Sequence, residues 1–89
     1  MTETAALLSP ATNYAIVQLP GRRFPGIVFQ GDSAHNIFVQ LNGIRTLAKK
    51  CGEKQLDAEI DDICELFSSI IKGYEAVCES HGIELPYPR

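Results

Sequence analysis

Leu19-Pro20-Gly21-Arg22-Arg23-Phe24-Pro25-Gly26-Ile27-Val28-Phe29-Gln30-Gly31-Asp32-Ser33 is the stretch on which the fold turns. Two Pro-Gly elements bracket two adjacent arginines, so the segment reads as a strand end, a stiff basic turn, a second strand and an entry into a helix. Gly31 lets the chain turn sharply, and Asp32 or Ser33 can cap the helix that follows. Upstream, Tyr14 to Leu19 is rich in β-formers and supplies the first strand, and Gly26 to Gln30 supplies the second. The prolines fall at the strand ends, where a missing N–H does little harm.

From Asp32 or Ser33 onward, Ala34, Ile37, Phe38, Leu41, Ile44, Leu47 or Ala48, and Cys51 recur at spacings of three and four, which predicts a helix. Lys49 and Lys50 suit its last turn and Gly52 its end. A second helix follows. Glu53, Asp57, Glu59, Asp61 and Asp62 crowd its first turns, as the macrodipole favours. Ile60, Cys64, Phe67, Ile71, Tyr74 and Cys78 keep the four-three alternation of a helix seam, and Leu56, Ile63, Ile70 and Val77 add a second row at steps of seven. Gly82 ends this helix, and the prolines hold Ile83 to Pro88 extended.

The expected fold is therefore α+β: an N-terminal β-hairpin, two antiparallel α-helices and an extended, proline-containing C-terminal tail. Residues 1–12 have no clear period and read as a flexible arm before a single ββαα domain over residues 13–89. The apolar face of the second helix is broader than one neighbouring helix covers. That predicts a homodimer with a four-helix core, its interface drawn from Ile60, Ile63, Phe67, Ile70, Tyr74 and Val77.

With 45% hydrophobic and 21% charged residues, the composition is that of a folded protein rather than a disordered one. The net charge of −3 conceals an asymmetry: residues 1–52 carry +3 and residues 53–89 carry −6. A nucleic-acid binder needs a broad basic face, so nucleic acid is disfavoured as a partner. Residues 4–21 are uncharged, but Pro10, Pro20 and several polar side chains exclude a membrane helix. The opening residues carry no basic cluster ahead of their short apolar run, so the chain is expected to be cytoplasmic with no membrane contact.

Arg22, Arg23 and Phe24 are the leading recognition residues. A stiff turn holds two guanidinium groups ready for carboxylate or phosphate, although such a turn also serves simply to keep a sheet edge soluble. Gly31 to Ser33 offers free amides at a helix N-terminus, yet it lacks the glycine spacing and lysine of a phosphate loop. Asp57, Asp61 and Asp62, with Glu59 and Glu65, form an acidic ridge suited to a basic protein or to solvent. Cys51, Cys64 and Cys78 lack metal-type spacing. About 21 Å of helical rise separates Cys64 from Cys78, so they do not pair, and all three read as small buried thiols. Cys78 and His81 amount to half a metal site at most. His35 is expected exposed in the first helical turn, and its closeness to Asp32 and Ser33 does not make a triad. No catalytic residue, metal site or cofactor is assigned.

The run from Leu19 to Ser33, the two helices and the closing His81-Gly82-Ile83-Glu84-Leu85-Pro86-Tyr87 resemble a family of small uncharacterised bacterial proteins with an LPGRRFPGxxxQGDS-type motif. The resemblance covers the chain from Tyr14 onward and implies bacterial origin and a fold, but no mechanism. A fainter similarity, to HicB-type antitoxins, rests on Leu19, Pro20, Gly21, Gly31, Asp32, Ser33, Gly82, Pro86 and Pro88. In those proteins the loop between the motifs is shorter and one helix stands where this chain has two. Together these features favour a non-enzymatic protein-interaction domain, immunity- or antitoxin-like, over a sensor that binds a small anion between Arg22, Arg23 and the amides of Gly31 to Ser33.

Overall fold

The structure, a computed structural model, describes residues 3–89. The elements are β1 (Ala6–Leu7), β2 (Tyr14–Gln18), β3 (Gly26–Phe29), α1 (Gly31–Cys51) and α2 (Lys54–Ser80). β2 and β3 form the expected antiparallel hairpin, with Tyr14 opposite Phe29 and Val17 opposite Gly26. The segment before them departs from the expected free arm. β1 pairs antiparallel with β2, Leu7 opposite Val17, while the Leu8 amide donates to the Ile16 carbonyl at 2.8 Å and the Ile16 amide to Ser9 Oγ at 2.9 Å. The result is a three-stranded sheet of order β1-β2-β3. The outer edge of β2 carries polar backbone groups that need partners, and two apolar residues suffice to meet them without leaving a readable period. Met1 and Thr2 of the expected arm lie outside the described residues.

α1 begins one residue earlier than its polar residues suggested. Gln30, still extended, flanks it without a side-chain cap, so neither Asp32 nor Ser33 is the cap. Asp32 instead accepts the Ser33 amide at 2.8 Å within the first turn. Gly31 lies against Tyr74: a Cβ there would overlap the ring's Cζ and hydroxyl, so a larger residue must displace the far end of that side chain. The crossing from sheet to helix thus passes directly against α2. Gly52, at φ 70°, closes α1, and the Glu53 carboxylate accepts the Leu56 amide to start α2. At the far end the Ile83 amide reaches the Cys78 carbonyl at 2.8 Å and the Gly82 amide that of Glu79 at 3.2 Å. This double closure, with Gly82 left-handed at φ 66°, is a Schellman motif.

Ala48, Cys64, Ile71 and Cys78 are buried in the helix pair, Ala15 and Val17 in the sheet, and among the described residues no large side chain is fully buried. The Cys64 thiol donates to the Leu41 carbonyl at 3.6 Å across the pair. The helices touch along their length, whereas the sheet meets them only slightly. The molecule measures 51 × 31 × 23 Å with a radius of gyration of 16.0 Å, against about 12 Å for a compact chain of this length. Its accessible surface is 7044 Å², where a folded monomer of 9.8 kDa exposes about 5,200 Å². One copy is therefore an open, underpacked body.

Candidate interaction surface

Many large apolar side chains are exposed on this surface. On α2 the seam and the second row separate as their spacing implies. Cys64, Ile71 and Cys78 are buried and Ile60, Phe67 and Tyr74 half-buried in the protomer, while Leu56, Ile63, Ile70 and Val77 stay exposed. The six residues expected at an interface thus divide: Ile60, Phe67 and Tyr74 serve the chain's own packing, and Ile63, Ile70 and Val77 are left open. Leu66, 58% exposed, extends the open row. Beside it, Ile27 and Phe29 of β3 and Leu66, Phe67, Ile70 and Tyr74 of α2 line a groove of about 380 Å³. β3 is an edge strand, and Ile27, Val28 and Phe29 are all exposed, so apolar side chains emerge from both its faces.

Arg22, Arg23 and Phe24 stand together on the turn, around a second groove of about 460 Å³ lined by Leu19 and residues 21–26. Gln18 Nε2 donates to the Arg22 carbonyl at 2.6 Å and the Arg22 amide to that of Leu19 at 3.3 Å, which fixes the backbone. The Arg23 guanidinium lies 5.1 Å from the centre of the Phe24 ring, and that ring is 72% exposed. Among the described residues neither arginine has a carboxylate within ion-pair distance. The turn and the α1 N-terminus lie at opposite ends of β3, whose four residues span about 13 Å. They do not converge on one small anion, and the Tyr74 ring packs over Gly31 besides. The alternative reading of the sequence, an anion held between the two, would have to bridge that distance.

The acidic residues also divide. Asp61 Oδ1 lies 2.8 Å from Arg45 Nε and 3.7 Å from Lys49 Nζ, so it ties α2 to α1; the Arg45 N–H is not aligned for a hydrogen bond. Asp57 is half-buried, and its Oδ1 has no partner among the described residues. Glu59, Asp62 and Glu65 remain exposed. Among the described residues no three of His, Cys, Asp and Glu gather to hold a metal ion. His81 Nδ1 sits 2.9 Å from the Val77 carbonyl and 3.1 Å from Ser80 Oγ. Cys64 and Cys78 are buried as expected, but Cys51 is exposed.

One cluster escaped sequence reading. The C-terminal tail returns to the helices and not to the sheet: the Tyr87 ring stacks on His35 at 3.6 Å and 11°, its hydroxyl donates to Glu75 Oε2 at 3.1 Å, and Arg89 Nη1 lies 3.5 Å from Glu75 Oε1. His35 is thereby half-buried rather than exposed. Burial, and then the bond to Glu75, push the Tyr87 phenol up to about 12. Tyr74 is raised for the same first reason, with the Cys78 thiol next. A sequence carries no period that joins residue 35 to residue 87; an aromatic between two prolines is the nearest signal.

The class these features define is a small α+β domain with no helix, among the described residues, long and apolar enough to cross a membrane. By comparison with family models, the chain belongs to DUF6959, a family of unknown function, whose model spans residues 1–87. No curated protein and no solved structure was found to match it.

Proposed function

We propose that this chain is a non-enzymatic protein-interaction domain that works as a homodimer and offers its charged features to a further partner, in an immunity- or antitoxin-like role. The observation that carries the reading is the apolar row of Leu56, Ile63, Ile70 and Val77, left open on a body with about 1,900 Å² more surface than its mass warrants. Charged residues flank that row without interrupting it. The exposed acids Glu59, Asp62 and Glu65 suit a basic protein, whereas Asp61 is engaged with Arg45 and Lys49. Light scattering on the purified chain tests the first half: twice 9.8 kDa is the expected mass, and a 9.8 kDa species at 100 μM contradicts it. Reversal of Glu59, Asp62 and Glu65 to lysine tests the second. It should abolish stoichiometric capture of a basic protein while the helical signal is kept, and undiminished capture removes the acidic face from the account.

A second reading, an anion sensor, is favoured by two arginines beside their groove that form no ion pair among the described residues. It concerns the turn alone. A thermal-shift screen of phosphates, nucleotides and carboxylates should give a hit that Arg22→Ala/Arg23→Ala removes. No shift at millimolar concentrations counts against it.

A further inference from the structure

We propose that the open face is closed by a second copy of this chain lying antiparallel along α2, with the two-fold axis passing between the levels of Leu66 and Phe67. This rests on the homodimer reading above and supplies its geometry. The row is its own complement under reversal. Turned about a point between residues 66 and 67, Leu56 meets the partner's Val77 and Ile63 meets the partner's Ile70, apolar on apolar at every seven-residue step. At that midpoint lies the groove that Ile27, Phe29, Leu66 and Ile70 line, so a reversed second helix brings the partner's Leu66 to it.

Charge selects the direction. A parallel pair sets Glu59, on the flank of the row, against the partner's Glu59, whereas the antiparallel pair holds them about 24 Å apart. Area selects the occupant. The excess of about 1,900 Å² belongs to the whole chain, with Val39, Ile44 and Leu47 of α1 exposed as well as the α2 row. Burying a surplus of that size takes a partner as large as a second copy, each partner in an obligate homodimer contributing roughly 1,000–2,500 Å². Gly73 adds to this. It lies beside the row, a Cβ there would meet nothing within 4 Å in the protomer, and a missing side chain at this position lets a second helix approach.

Cys64 and Cys78 are buried, so replacing the exposed Cys51 by serine leaves a chain that takes one spin label at Gln55→Cys, beside the row. Pulsed dipolar spectroscopy on the full chain should then read about 36 Å between labels, from twice the helical rise to the axis and a helix separation of about 9 Å. A distance near 10 Å marks a parallel pair, and any other distance a different interface. Either overturns this geometry while the homodimer stands. Sedimentation of the same sample at the mass of one chain overturns both. Ile63→Lys/Ile70→Lys should raise the dissociation constant at least a hundredfold with the helical circular dichroism retained, and dimerisation as tight as the wild type's excludes this face.

Discussion

Gly31 and Tyr74 are coupled more tightly than any pair the sequence suggests. Glycine at the entry to α1 reads as freedom to turn, but the constraint is the tyrosine ring that occupies the space of its side chain. Gly31→Ala should destabilise the fold by about 1–3 kcal/mol, as overpacking does, although alanine is the better helix former. In Tyr74→Leu the same change should cost less than half as much, read as denaturation midpoints in a double-mutant cycle; equal costs in both backgrounds would dissolve the coupling. Tyr87 makes a second residue-scale prediction. Its folded-state pKa of about 12 exceeds the unfolded value near 10. Its contribution is therefore complete below pH 10 and is lost as pH rises from about 10 to 12, because the unfolded chain releases the proton first. Tyr74 shifts in the same direction, so Tyr87→Phe should flatten the alkaline loss of stability without abolishing it. An unchanged pH profile would mean that Tyr87 is neither buried nor bonded to Glu75 in solution.

At the scale of elements, the helices and the hairpin were legible because each satisfies a local rule. Apolar residues recur with helical spacing, glycines close both helices, and prolines mark the strand ends. β1 was not legible because two residues carry no period, and it exists only because the β2 edge is open beside it. The tail was readable as extended, but the ring stack of Tyr87 on His35 joins residues 52 positions apart that share no pattern. In the acidic ridge the sequence shows charge but not direction. Asp61 turns towards Arg45 while Glu59, Asp62 and Glu65 face solvent. Because the Asp61 ion pairs are partly exposed, Asp61→Asn should cost no more than about 1 kcal/mol, and less in high salt. A loss of several kcal/mol would mark the pair as the chief tie between the helices. Gly73→Ala separates one copy from two within α2. An isolated protomer should gain up to about 1 kcal/mol from it, whereas the antiparallel pair should dissociate about tenfold more readily; tighter association would remove the close crossing.

Over the whole molecule, the sequence already held the surplus that the structure displays. Two apolar rows run along α2 and only one partner helix lies within the chain, so one row had to face outward. What the sequence did not reveal was how little the sheet would cover. An 89-residue chain has few large side chains to spare, and among the described residues Val17 and Ile71 are the only branched aliphatic ones that one copy buries. Small domains often complete their cores by association, and on that ground assembly should add to the stability of the folded protomer. The direct test is the melting temperature of the wild-type chain as a function of its own concentration. Between 1 and 100 μM a dimer that must dissociate to unfold gains about 2.7 kcal/mol by mass action, which raises Tm by about 7 °C for two chains of this length. A rise of that size is the predicted result, and a Tm that does not move with concentration would show that one copy holds its fold alone.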